Sequence, residues 1–510
     1  MHLERSAGIL LHPTSLPGPY GIGDLGPEAH RFLAWLQNTG CRYWQVLPLG
    51  PTGYGNSPYQ CHSVFAGNPY LISPDLLIRD GFLKRDELQD PPVSSRWSDR
   101  GAGWVDYGRI IPWKLTLLQT AFAYFGHRAS LGLRSEFARF RKTNARWLED
   151  YCLFMALKNE YQGQSLVHWP AAIRRRRAKD LAQARRRLKP AIQQCAFDQW
   201  LFFRQWAELR QQARRRNVFL IGDAPIFAAQ DSADVWANPN LFFVDRDCAA
   251  TLVAGVPPDY FAPTGQLWGN PLYDWRRHKE SGFRWWIQRL RAVLGLVDFV
   301  RLDHFRGLAG YWEIPAGAAT AEAGRWVPGP ADILMQAVAR ALAGRRDTRD
   351  LPLIAEDLGV ATPDVPPLLT RYRLPGMTVL QFGFAGLQDE FLPHNYVRHC
   401  VAYTGTHDND TARGWFSQAT DEERRSALEY LDSSDARIVQ DMIRAVWGSR
   451  ASLAIAPLQD FLELGSEARM NFPGKPEGFW EWRLRPGCLT EGLSARIRSL
   501  NDETDRLGRT

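Results

Sequence analysis

Cysteine is scarce in this chain and never arranged for chemistry. Seven Cys stand at positions 41, 61, 152, 195, 248, 400 and 488 of 510 residues, and no C-x-x-C pair occurs. That spacing excludes the common zinc sites and dithiol redox motifs. Scattered thiols in odd number read as free cysteines in a reducing compartment. Long apolar runs are also missing. The opening MHLERSAGILLHPTS sets charge on both sides of an apolar stretch too short for a secretory segment. No run elsewhere is long enough to cross a bilayer. A cytoplasmic protein with no membrane partner is expected. The chain lacks a G-x-S-x-G elbow, which argues against a serine-hydrolase triad. It has no internal repeat, and low complexity is limited to an Arg-rich stretch.

The balance of charge is +7, largely from Arg runs at 174–177, 185–187 and 214–216. No aromatic residues interleave with these runs, and no recognition-helix or zinc pattern accompanies them, so nucleic acid is not an expected partner. A solvated helix face is the simpler reading. The hydrophobic fraction of 45% and charged fraction of 23% are those of an ordinary globular protein. The 20 Trp are more than ordinary. Many belong in a core, but indole faces also suit the C–H faces of a pyranose.

Eight short apolar, β-branched or aromatic runs bounded by turn residues recur along the chain. They are AGILLHP from Ala7, RYWQVLPL from Arg42, NVFLIGDAP from Asn217, DFVRLDHF from Asp298, LPLIAEDLG from Leu351, MTVLQFG from Met377, CVAYTGTHD from Cys400 and LAIAPLQD from Leu453. Amphipathic stretches such as 26–39, 286–294 and 331–343 lie between most of them. Strands alternating with helices predict a parallel sheet, and eight of them predict an α/β fold of the (β/α)8 TIM-barrel type, with chemistry at the C-terminal strand ends. The whole chain, 1–510, then reads as one decorated barrel. Uneven spacing predicts a mainly helical insertion at about 72–216 and a loop-rich insertion, with a substrate-covering loop, at 228–283. GIGDLG fits a dinucleotide fingerprint, but Pro17 and Pro19 precede it and no full strand ends at its first Gly. It reads as a loop.

Three of the eight runs stop abruptly at carboxylates: FVRLDHFRG at Asp303, LIAEDLG at Glu356 and YTGTHDND at Asp408. Breaking a glycosidic bond with retention needs a carboxylate nucleophile and a carboxylic acid. A third carboxylate can hold the distorted sugar. Arg301 shares strand parity with Asp303 and is expected to keep it ionised. Glu356 has the longer reach, suited to an acid with a raised pKa. Asp298, at a strand entry, reads as structural, and Asp357 as a loop or helix-cap residue. His407 and Asp408 read best as hydrogen-bonding partners of sugar hydroxyls, since their spacing fits no dedicated metal site.

Further segments accompany the acids. HPTSLPGPYGIGDLG from His12, LPLGPTGYGNSPYQ from Leu47, SVFAGNPYLISP from Ser63, GDAPIFAAQDSADVWANP from Gly222, VAGVPPDYFAPTGQLWGNPLYDW from Val253 and ARMNFPG from Ala468 occur in that order. Together they resemble the amylomaltases, the 4-α-glucanotransferases of glycoside hydrolase family 77 in the α-amylase clan, over essentially the whole chain. The resemblance implies Asp303 as nucleophile, Glu356 as acid/base and Asp408 as transition-state stabiliser. It implies donor-sugar binding by Arg301 and His407, a stacking wall at Tyr59 with Ser57 beside it, and Tyr260, Phe261 and Trp268 on a loop over the glucan. Gln266 and Asn471 are implied as further contacts. The implied partners are α-1,4-glucans, with no obligate protein partner, no organic cofactor and no essential metal.

Overall fold

The computed structural model describes residues 4–88, 91–92, 102–258, 263–343, 350–359, 363–384, 389–475 and 478–507. Each of the eight apolar runs is a strand: β1 (Ser6–Leu10), β2 (Tyr43–Gln45), β3 (Phe219–Ala224), β4 (Phe299–Leu302), β5 (Leu353–Ala355), β6 (Gly376–Val379), β7 (Cys400–Tyr403) and β8 (Leu453–Pro457). They form one parallel sheet in the order β5-β4-β3-β2-β1-β8-β7-β6. The remaining seam, between β5 and β6, is bridged where Ala355 N–H donates to the Pro375 carbonyl at 2.9 Å. The barrel therefore closes. Strands such as SAGIL and LAIAP are buried along their whole length, because one face packs on the interior and the other on helices. Gly8 is required by the closeness of β1 and β2. A Cβ there would lie 2.7 Å from the Tyr43 Cβ.

The first outer helix, Pro27–Thr39, starts with Pro in its first turn and ends at Gly40 in the left-handed region, the usual helix punctuation. It turns Phe32 onto Trp44 of β2, with ring centroids 4.8 Å apart. Between β2 and β3 the chain builds four long helices, Tyr107–Arg128, Leu131–Glu160, Ala178–Arg187 and Lys189–Arg215. Tyr151 and Phe154 from these helices form a second apolar cluster with Trp169 and with Trp236 from the chain after β3. The Arg runs are only partly a solvated face. Arg175 forks onto Asp247 at 3.0 and 2.9 Å, Arg187 onto Glu160 at 2.9 and 2.8 Å, and Arg176 and Arg185 share Asp150. Arginine's planar fork makes such clamps between segments possible.

The 228–283 segment contains the strands Leu252–Val256 and Gln266–Pro271. These join Gly310–Pro315 and Arg325–Pro328 in a four-stranded antiparallel sheet, with Gln266–Pro271 at one edge and Arg325–Pro328 at the other. This sheet grows from the chain that leaves the C-terminal ends of β3 and β4, so it stands at the barrel mouth. At the opposite end Arg506 is wholly buried. Its guanidinium donates to the carbonyls of Trp447 (2.6 Å), Ser6 (2.9 Å) and Ala451 (3.0 Å). Among the described residues no helix is long and apolar enough to cross a membrane.

Candidate active site

The acids sit where the strands predict. Asp303 follows β4, Glu356 follows β5 and Asp408 lies five residues beyond β7. A groove of about 350 Å³ opens at this end, lined by Ser57, Tyr59, Gln266, Trp268, Asp303, His407, Asp408 and Asn471 among others. Arg301 and Glu356 are buried, at 3% and 8% exposure, and are not among the residues that line the groove. Tyr260 and Phe261 lie outside the described residues.

One Arg301 nitrogen, Nη1, contacts Asp223 Oδ2 at 2.7 Å and Asp303 Oδ1 at 2.9 Å. Asp223 also accepts from the Tyr59 hydroxyl at 2.9 Å. The expectation that Arg301 simply holds Asp303 ionised is therefore incomplete, because the guanidinium is shared. Burial pushes the Asp303 pKa well up, Arg301 pulls it down, and Asp223, Glu356 and Asp408 push it up again. Asp223 was not singled out in the sequence. Yet FLIGDA shows the same signal as the other three, an apolar run ending at an acid.

Glu356 is fixed by two backbone donors. His304 N–H reaches Oε2 at 2.6 Å and Leu358 N–H reaches Oε1 at 2.9 Å. His304 takes a left-handed conformation, φ 50, as the chain turns out of β4. Burial raises the Glu356 pKa, against the opposing pull of Arg301 and these backbone donors. Asp357 is not a helix cap. It accepts from Met377 N–H at 2.8 Å and so ties the β5 exit to β6. Asp298, at the other end of β4, accepts from Leu220 N–H, Arg210 and Arg214, a structural role as expected.

On the opposite wall, the His407 ring stacks on Tyr59, centroids 5.1 Å apart and planes within 9°. Its Nε2 lies 3.3 Å from Asp408 Oδ1. Burial holds its pKa below the ordinary value. Asn471 Nδ2 donates to Asp408 Oδ1 at 2.7 Å. Arg469 clamps the carbonyls of Asp408 and Asn471, both at 2.6 Å. Arg469 lies within ARMNFPG, from which only Asn471 is singled out in the sequence, and Trp480, whose ring sits 5.5 Å from Tyr59, is marked by no local pattern. Trp268 meets His304 edge-on at 4.9 Å and donates to Gln266 Oε1 at 3.1 Å. Ser57 Oγ accepts from Tyr59 N–H at 3.2 Å and fixes the turn that presents that ring.

A parallel barrel with acids at its C-terminal strand ends, facing a groove walled by aromatic rings, defines a carbohydrate-active barrel enzyme. The family model described as 4-alpha-glucanotransferase matches residues 11–490. The chain is 49% identical to a 4-alpha-glucanotransferase of Thermus thermophilus, over 99% of this chain and 100% of that one. It is 42% identical to the chloroplastic/amyloplastic 4-alpha-glucanotransferase of Solanum tuberosum, over 99% and 87%. An amylomaltase from Streptococcus agalactiae, solved in complex with acarbose, superposes with a TM-score of 0.92 at 37% identity, covering 99% of this chain and all of that one. The chain belongs to the 4-α-glucanotransferases of glycoside hydrolase family 77, enzymes of transglycosylation.

Proposed function

We propose that this enzyme moves α-1,4-glucan segments between chains by double displacement, with Asp303, Glu356 and Asp408 as its three acids. Asp303 attacks the anomeric carbon while Glu356 protonates the leaving oxygen, giving a covalent glucosyl-enzyme. Glu356, now a base, takes the proton from the 4-hydroxyl of an acceptor sugar, which attacks the same carbon and restores the α configuration. Asp408 accepts hydrogen bonds from the donor sugar's hydroxyls, most strongly in the oxocarbenium-like state.

The observation that carries this reading is the contact of Arg301 with Asp303 inside a buried cluster of carboxylates. Such a cluster retains a proton, and two adjacent acids then differ in which keeps it. The cation touches Asp303, which favours charge there. Burial raises the pKa of both carboxyls, so it is the 2.9 Å contact with Arg301 that favours charge on Asp303 and leaves Glu356 to carry the proton. That division gives one nucleophile and one acid. His407 and Tyr59 bind the donor sugar, and Ser57, Gln266, Trp268 and Asn471 contact the glucan. The aromatic rings of Tyr59, Trp268 and Trp480 along the groove keep water from the intermediate, which favours transfer over hydrolysis. The carboxylates supply all the chemistry, so neither organic cofactor, metal nor protein partner is required. Seven free thiols support a reducing, cytoplasmic setting.

Incubation with maltotriose alone is the test. A ladder of glucose and longer maltooligosaccharides at constant reducing ends is expected. Rising reducing ends would make the enzyme mainly a hydrolase. The Asp303→Asn variant should bind glucan and turn it over several orders of magnitude more slowly, and near-normal activity would remove Asp303 from its role.

A further inference from the structure

Trp326 is one of the few large apolar side chains left open to solvent, 45% exposed, and it lies outside the groove already described. It sits on Arg325–Pro328, the outer edge strand of the antiparallel sheet at the barrel mouth. The ring is held in place from two sides. Trp312, directly opposite on the neighbouring strand, meets it edge-on with centroids 5.3 Å apart, and Trp312 is itself anchored by its Nε1 donating to the Ala321 carbonyl at 2.8 Å. The Arg306 guanidinium lies over the Trp326 ring at 4.5 Å. Holding a guanidinium on an indole face is favourable, but nothing in the fold's stability requires the indole to stand exposed.

Arg306 links this ring to the chemistry. It follows Phe305, whose N–H donates to the Glu356 carbonyl at 2.9 Å, and His304, whose N–H holds the Glu356 carboxylate. Arg306 is 8% exposed, its Nε has no hydrogen-bond partner, and the field of Glu356 reaches it. Trp326 is therefore backed by the turn that positions Glu356. The donor wall formed by Tyr59 and His407 stands across the groove.

Which side a sugar occupies follows from the reaction. The oxygen that Glu356 protonates on departure and the hydroxyl that it later deprotonates take the same place. Acceptor chains must then extend from the Glu356 side. Four strands in the order Gln266–Pro271, Leu252–Val256, Gly310–Pro315 and Arg325–Pro328 run from the groove to Trp326. Three strand spacings make this roughly 14 Å. Trp326 stands beyond the residues that line the groove, so it meets a sugar further along the acceptor and not the one that reacts.

We propose that Trp326, backed by Arg306, is an acceptor-side platform on which a glucose unit of a long α-glucan acceptor stacks. Its open face offers apolar surface to the pyranose C–H face. The site selects long acceptors over glucose, which cannot reach it. This proposal rests on Glu356 acting as the acid/base.

The experiment uses α-maltosyl fluoride as donor, with glucose or maltotetraose as acceptor, and reads initial rates of transfer product and fluoride release. The wild type should prefer maltotetraose. In Trp326→Ala the ratio of kcat/KM for maltotetraose over that for glucose should fall about tenfold, the size of a lost contact of about 1.4 kcal/mol. Trp326→Phe, which keeps an aromatic face, should retain most of the preference. An unchanged ratio in Trp326→Ala, or an equal loss with both acceptors, overturns the platform. Failure of the wild type to release fluoride overturns the role of Asp303, and fluoride release that yields no transfer product with either acceptor overturns Glu356 as the base and the acceptor assignment with it.

Discussion

Arg301 divides one nitrogen between two acids, and the second of them, Asp223, also receives the Tyr59 hydroxyl. Asp223→Asn would weaken a charge-assisted contact and loosen the ring that stacks on His407. Losing such a bond costs about 1.5–3 kcal/mol, so kcat should fall roughly tenfold to a hundredfold while the fold, followed by circular dichroism, stays intact. An unchanged kcat would make Asp223 merely structural. Glu356 makes a second prediction at this scale. Its pKa is raised by burial, and in the proposed mechanism its protonated form is the acid. Activity should therefore be present below that pKa and lost as pH rises through it. Glu356→Gln should abolish this alkaline limb and disproportionation together, yet still release a burst of about one fluoride per enzyme from α-maltosyl fluoride, whose leaving group needs no proton, before the missing base stalls transfer. A persistent alkaline limb in the variant would assign it to another group.

At the level of elements, the eight barrel strands were readable because each is a short apolar run cut off by turn residues. Three site acids were readable because they end such runs. Asp223 carries the same mark in FLIGDA and was passed over. The four-stranded sheet at the mouth was not readable as a sheet. Gln266–Pro271 contains Gly and Pro and is half-exposed along most of its length, and the sheet is completed by Gly310–Pro315 and Arg325–Pro328, which lie beyond β4 in the sequence. Arg469 reaches Asp408 by a similarly long route. The helix Lys189–Arg215 offers its own test. It buries Asp198, whose pKa burial pushes up to about 8, with Gln194 Nε2 donating to its carboxyl at 2.6 Å. The folded chain then keeps a proton that the unfolded chain releases at about pH 4. Stability from this group is complete below that value and falls as pH rises toward 8. Asp198→Asn, neutral throughout, should be more stable than the parent by a margin that widens between pH 5 and pH 8, at up to about 1.4 kcal/mol per pH unit. Denaturant midpoints across that range would show it, and a constant margin would count against a proton held at Asp198.

For the whole molecule, closure of the barrel away from its mouth depends on Arg506, which joins the start of β1 to the segment before β8 through backbone carbonyls. Arg506→Ala would leave several of those carbonyls buried without donors, each costing about 1–3 kcal/mol. A loss of at least about 3 kcal/mol in urea unfolding is expected, with Arg506→Lys recovering only part of it. A loss below about 1 kcal/mol would mean that water satisfies these groups. The folded molecule also keeps two jobs on separate frameworks. The three acids proposed to react stand on the parallel barrel, whereas the proposed acceptor platform stands on an antiparallel sheet attached at its mouth. Selection for a different product length, in nature or in a mutant library, can then act on Trp326 and its strand while the bond-breaking residues stay as they are.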